Sequence, residues 1–239
     1  MKYTDLTFMT PEHNLACDEA LLDVCEDGYP HEILRFWEPT QFFVVVGYSG
    51  KIRSEVNLSS CQKSAIPILR RSSGGGTILQ GPGCLNFSLI LRIENSHKLS
   101  RITETNSYIM ERHKEALQPL VASKIGVEGF SDLALNTLKF SGNAQRRKRH
   151  VLLFHGTFLL DFDISVIEKF IPLPSRRPSY RGNRVHKNFL TNINVPSQKI
   201  KEALQNSWNA RERLEQIPYE EIEQLAKARY KTDDWNFKF

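Results

Sequence analysis

Residues 70–91 read RRSSGGGTILQGPGCLNFSLIL, and the apolar runs on either side, AIPIL (65–69) and CLNFSLIL (84–91), have the length and composition of strands. Between them stand Gly74, Gly75 and Gly76 in a row. Such a chain has to build a sheet that carries a loop without side chains. Glycines there can adopt backbone angles closed to other residues and let a ligand reach the main chain. Successive free N–H groups in a turn of this kind form a nest for an anion. Arg70 and Arg71 beside it can add bidentate contacts to a phosphate or a carboxylate. A tight hairpin connection would also use these glycines. The stretch has neither GxxxxGK[ST] nor GxGxxG, so it is not a Walker loop or a dinucleotide fingerprint.

Elsewhere the chain alternates helical and strand patterns without a regular βαβ rhythm, which predicts a mixed, largely antiparallel α+β fold. MTPEHNLACDEALLDVCEDG reads as a helix with Thr10 as N-cap, Pro11 at its first position and Gly28 past its end. EILRFWE and FFVVVGY read as strands separated at Pro39-Thr40. A long helix is expected over about 104–122, where Ile109, His113, Leu117 and Leu120 recur at near-helical spacing. Two or three strands follow in 133–162, turning at Asn136-Thr137 and at RKRH. A short helix near 164–170, an irregular Pro/Arg-rich loop over 172–188 and amphipathic helices from Ser197 and Pro218 complete the chain.

The 239 residues carry a net charge of +5, and the cations are bunched, four in QRRKRH (145–150) and five in SRRPSYRGNRVHK (175–187). No aromatic-interleaved platform or helix-turn-helix pattern accompanies them, so an anionic small molecule or an acidic protein fits better than nucleic acid. No run approaches the roughly 20 apolar residues of a membrane span, and the opening lacks an apolar secretory core. Cys17, Cys25, Cys61 and Cys84 show neither CxxC nor metal-ligand spacing, which suits free thiols in a cytoplasmic protein.

A second polar cluster lies downstream. LKFSGNAQRR places Lys139 between Leu138 and Phe140 ahead of a glycine turn, a candidate buried ammonium. His155-Gly156-Thr157 interrupts a strongly apolar strand. A strand-edge lysine and a satisfied core histidine are the plainer alternatives.

Together these stretches resemble the lipoate–protein ligase family, which shares its catalytic domain with biotin protein ligases and octanoyltransferases. The resemblance rests on RRSSGGGTILQGPGCLNFS, SDL, KFSGNAQRR and HGTFLLDFD in that order, with NLACDEALL and ARYKTDDWNF near the ends. It implies one synthetase-like catalytic domain over 1–239, with the C-terminal accessory domain of many ligases absent. The reaction it implies has two steps. Lipoate and ATP, with Mg²⁺, give lipoyl-AMP, and the acyl group then passes to a lysine of an acceptor lipoyl domain.

By the same resemblance Lys139 is the catalytic lysine, set where acyl carbonyl and phosphate meet. Arg70, Ser73, Gly75, Gly76 and Thr77 would hold the phosphate. Asn86 and Ser88 would line the pocket from one face of their strand. Asp132 would lie near phosphate and Mg²⁺. Ser141, Gly142 and Ala144 would pack around the acyl-adenylate, with His155, Gly156 and Thr157 beneath. Expected partners are lipoate or octanoate, acidic lipoyl domains of dehydrogenase complexes or the glycine-cleavage H protein, and a separate accessory subunit; nucleic acid and membrane are not expected.

The chain departs from the ligase pattern at Gln80-Gly81, at Cys84 and at Ser131. Two other readings therefore stand beside the ligase: an octanoyl or lipoyl transferase, and a non-catalytic binder of lipoate or acyl-adenylate. Octanoyltransferases use a cysteine nucleophile, either after the HG strand or about 15 residues before the lysine. This chain has KFIPLPS and KIGVEGF there, without cysteine.

Overall fold

A computed structural model of the chain describes every residue except Ser175 and Arg176, and every side chain but that of Asn95. The strands are β1 (Lys2–Asp5), β2 (Ile33–Trp37), β3 (Phe43–Val46), β4 (Ile68–Arg70), β5 (Ile78–Gln80), β6 (Cys84–Arg92), β7 (Ile125–Glu128), β8 (Asp132–Leu135), β9 (Leu138–Arg147), β10 (Val151–Leu159) and β11 (Glu212–Arg213). Eight form a mixed sheet in the order β11-β1-β2-β6-β10-β9-β8-β7, and β4-β3-β5 form a second, small one. The fold is α+β, as the interspersed patterns predict.

The opening helix runs Pro11–Glu26, with Gly28 beyond it at φ +114°. Leu15 and Leu22 on this helix pack with Ile33, Ile90 and Leu153 on one face of the large sheet. On the other face the helices Ile102–Leu117 and Ser197–Ser207 cover Leu34, Phe36, Phe87, Leu89, Phe154 and Phe158. Each such Leu, Ile or Phe contributes about 1.5–3 kcal/mol on burial. The small sheet packs through Val44, Val46 and Leu79 against Phe162, Ile167 and Phe170. Strands β5 and β7 and the short helices Ile52–Glu55 and Leu58–Lys63 are additions to the sequence reading. At three to six residues each, they are too short to show a period. Asn136 and Thr137 both take positive φ, +48° and +69°, the geometry of a tight hairpin turn between β8 and β9.

Register places the candidate residues. Trp37 pairs with Asn86, Asn86 with Thr157, Thr157 with Gly142 and Gly142 with Asp132, a single row across five strands. One step along lies the row Arg35, Ser88, His155 and Ala144. Both rows face the opening helix. Strand β9 is bulged opposite Leu133 and Ala134: Leu133 pairs with Ser141, but Ala134 pairs with Lys139. Phe140 and Ser141 consequently sit together at this irregularity. Strict alternation would send Lys139 to the face opposite Gly142, and the bulge brings it back.

Candidate active site

A cavity of about 410 Å³ opens between the two rows, the glycine loop, Ile171–Pro174 and residues between Arg177 and Phe189. Its lining includes Lys139, Gly75, Gly76, Thr77, Asn86, Asp132, Gly142, Ala144, His155, Gly156 and Thr157. Two stretches separated by more than sixty positions in the chain thus meet around one space.

Lys139 is half-buried rather than sealed, and its Nζ lies 2.7 Å from Asp132 Oδ1. The other carboxylate oxygen accepts a 2.7 Å hydrogen bond from Tyr180 Oη. Burial and the neighbouring Asp132 together raise the Tyr180 phenol well above its ordinary range, so it stays a donor. Gly142 leaves room beneath the lysine, since a Cβ there would stand 2.6 Å from Lys139 Nζ and push the end of that side chain aside. The backbone of Lys139 is fixed as well, because its carbonyl accepts from Thr191 N at 2.9 Å.

In the glycine loop Gly75 has φ +90°, and a Cβ on it would meet Arg71 Nη2 at 2.8 Å. The Arg71 guanidinium shapes the loop by donating to the carbonyls of Gly74 and Gly76, at 2.6 and 2.8 Å from Nη2. Burial pulls this guanidinium down to about 10. Gly47 completes the fit, since a Cβ there would lie 2.0 Å from Gly75 O. Thr77 donates to Glu55 Oε2 at 2.5 Å.

Deeper in the cavity Gln80, Asn86 and Thr157 close a polar triangle. Gln80 Nε2 donates to Asn86 Oδ1 (2.8 Å) and to Thr157 Oγ1 (2.7 Å), and Thr157 Oγ1 donates to Asn86 Oδ1 (2.6 Å). Behind them Arg35 Nη1 donates to Asp18 Oδ1 at 2.6 Å, and His155 Nδ1 lies 3.6 Å from Asp18 Oδ2. Burial alone would raise the Asp18 carboxyl, but Arg35 and His155 outweigh it and hold the group below the usual carboxylate range.

Four expected site residues stand outside the lining. Arg70 is fully buried and donates through Nη1 to the carbonyls of Gly47, Tyr48 and Gly50, and through Nε to those of Trp235 and Asn236. It ties the C-terminal segment to the Gly47 turn instead of reaching for phosphate. Ser73 Oγ lies 2.6 Å from His155 Nε2, beneath the histidine. Ser88 is covered by the opening helix, between Arg35 and His155 in its row. Ser141 pairs with Leu133 and Phe158, on the far side from Gly142. Asp132, expected near phosphate and Mg²⁺, holds Lys139 with one oxygen and Tyr180 with the other.

Several lining residues escaped the sequence reading: Asp18, Trp37, Glu55, Asn143 and Arg181. Asp18 carried a usable signal, since it stands three after Leu15 and four before Leu22, on the apolar stripe of an amphipathic helix. An acid there has to find a buried partner. Arg181 gave no signal within a basic run.

The family model for the lipoyl protein ligase A/B catalytic domain matches residues 10–208. The chain belongs to this family. Among lipoyl ligase/transferase relatives, it is 28% identical to octanoyltransferase LipM of Halalkalibacterium halodurans, over 99% of this chain and 98% of that protein. It is also 28% identical to a probable lipoate-protein ligase A of Mycoplasma pneumoniae, over 95% of this chain but 68% of that one. In fold, this lipoyl ligase/transferase chain is similar to a lipoate-protein ligase A crystallised with ATP (TM-score 0.82, 22% identity, 99% and 98% of the two chains). The Thermoplasma acidophilum protein Ta0514, a lipoate protein ligase homologue solved with lipoic acid, has a TM-score of 0.81 at 22% identity, over 99% and 98% of the two chains. No helix among the described residues is long and apolar enough to cross a membrane.

Proposed function

We propose that the chain is a lipoate–protein ligase, joining lipoate to a lysine of a lipoyl domain through an acyl-adenylate. One observation carries this over thiol-based transfer. No cysteine lines the cavity, and burial pushes the Cys17, Cys25 and Cys84 thiols up to about 12 and raises Cys61. A covalent acyl-enzyme needs a reachable thiolate. What faces the cavity instead is an ammonium.

In the first step a lipoate oxygen attacks the α-phosphorus of ATP, forming the carbonyl–O–P bond as pyrophosphate leaves. In the second the acceptor lysine amine attacks the carbonyl, AMP leaves and the amine loses a proton to form the amide. Lys139 offers positive charge to the oxygens that gain negative charge in both steps, with Asp132 and Gly142 fixing its position. The apolar lining from Leu15, Trp37, Val45 and Phe87 suits an eight-carbon chain. The basic balance of the chain favours an acidic acceptor domain. Magnesium would arrive with the nucleotide.

The deciding experiment adds MgATP and lipoate and measures pyrophosphate, alone and with candidate partner chains. Release supports the ligase. Silence, with lipoyl transfer from synthetic lipoyl-AMP intact, identifies a transfer-only enzyme. A second reading, octanoyl transfer from an acyl carrier protein, is favoured by the near-complete span shared with proteins named octanoyltransferase LipM. It requires transfer from octanoyl-carrier protein without ATP.

A further inference from the structure

The far end of the glycine loop meets the short helix Ile52–Glu55. Glu55 lines the cavity there, and its Oε2 accepts the Thr77 hydroxyl at 2.5 Å. Gly50 leaves room for this oxygen, since a Cβ on it would come within 3.0 Å of Glu55 Oε2. Among the described residues Thr77 is the one hydrogen-bond donor to the carboxylate, and no cation stands within ion-pair distance of it. Arg71 feels the charge of Glu55, but its guanidinium is held by the carbonyls of Gly74 and Gly76. Glu55 Oε1 is left without a partner.

The other two carboxylates of the lining are engaged, Asp18 by Arg35 and His155, and Asp132 by Lys139 and Tyr180. The lining cations include Lys139, Arg177 and Arg181. A lysine amine that approaches at neutral pH carries a proton and a positive charge. Like charges oppose its entry unless a carboxylate receives it. Glu55 is the lining acid with an oxygen to offer. Its place suits the task, because the glycine loop touches Glu55 at Thr77 and reaches β9 at Gly75, where an added Cβ would lie 3.5 Å from Ala144 Cβ. Ala144 stands two residues along β9 from Gly142, beneath Lys139.

We infer that Glu55 is a recognition site for a primary ammonium, the side chain of the acceptor lysine, and holds it across the glycine loop from Lys139. The inference rests on the second step of the ligase reading, transfer from the acyl-adenylate to an amine. Glu55 collects and orients the ammonium through a charge-assisted hydrogen bond. One proton leaves the nitrogen to water before attack and a second after the bond to the carbonyl carbon forms and AMP departs.

The test uses the full chain loaded with synthetic lipoyl-AMP and two nucleophiles at neutral pH, Nα-acetyl-lysine amide, which is cationic, and hydroxylamine, which is uncharged. The wild type is expected to react with the lysine derivative in a saturable manner. Glu55→Gln is expected to lose about tenfold or more in kcat/KM toward it, the margin of one charge-assisted contact, while its rate with hydroxylamine and its lipoyl-AMP affinity stay within about twofold. Glu55→Asp is expected to recover part of the loss. A wild type that consumes hydroxylamine but never saturates with the lysine derivative overturns the site, a result that needs no variant to fold. So does a Glu55→Gln protein that keeps wild-type kcat/KM, or one that loses both nucleophiles alike. Weakened lipoyl-AMP binding by that variant assigns Glu55 to the nucleotide and overturns the site too. A wild type inert toward both nucleophiles with lipoyl-AMP bound overturns the ligase reading beneath it.

Discussion

The ammonium of Lys139 lies 2.7 Å from Asp132 Oδ1, on the adjoining strand, in a position it owes to an irregularity in the pairing of β8 and β9. Without the bulge at Phe140 and Ser141 the lysine would emerge on the face packed by the Ile102–Leu117 helix. The geometry is a local backbone device, and single side chains probe it.

Lys139→Ala is expected to cut single-turnover transfer from lipoyl-AMP by about 10²–10³, the usual cost of one preorganised donor. Because the side chain is a quarter exposed, the fold should survive. Turnover at the wild-type rate, with an unchanged thermal midpoint, would remove the ammonium from the chemistry.

Gly142→Ala places a methyl group 2.6 Å from where Lys139 Nζ now rests. The ammonium has to move, and transfer is expected to fall toward the Lys139→Ala level. In the double variant the two losses should be far from additive, since both act on one group. Independent, multiplying effects would show that Gly142 acts by another route.

Gly75→Val forces a β-branched residue to φ +90° and drives its Cβ into Arg71. Lipoyl-AMP binding should disappear, and stability should drop by about 1–3 kcal/mol from backbone strain. Normal affinity in calorimetry would reduce the glycine to a turn former.

Iodoacetamide at neutral pH should leave activity intact, since burial holds three thiols near 12 and raises the fourth. Mass spectrometry of the native protein should find little modification within the assay time. Stoichiometric labelling of one cysteine with parallel loss of transfer would favour the acyl-enzyme route.

His113 is fully buried, accepts from Trp208 Nε1 at 3.0 Å, and burial, helped by Arg112, lowers its pKa to about 3. In the unfolded chain it would titrate near 6.5. The stability of this neutral imidazole is therefore complete above about pH 6.5 and declines as pH falls toward 3. Asp18, also depressed, adds a loss that begins only below about pH 4. In urea titrations His113→Gln should flatten the slope between pH 6.5 and 4; an unaltered slope would assign the acid sensitivity elsewhere.

Much of this protein was legible in one dimension. Period and punctuation gave the opening helix, the strands on both sides of the glycine triplet and the Asn136-Thr137 turn, because those features are set by neighbours a few residues apart. The same local chemistry marked Gly75 and Lys139, and the order of four motifs pointed to the family. Which arginines line the cavity was decided only in three dimensions. Arg70 and Arg71 are adjacent in the chain, yet one is spent on five backbone carbonyls around the C-terminal segment and the other cradles the glycine loop. Arg181 looked like any solvated cation until Phe189 and the cavity closed around it. The bulge that turns Lys139 inward leaves no mark in the alternation of residues. Burial and register belong to contacts between distant segments, and they determine which of many equivalent charges is left without a partner.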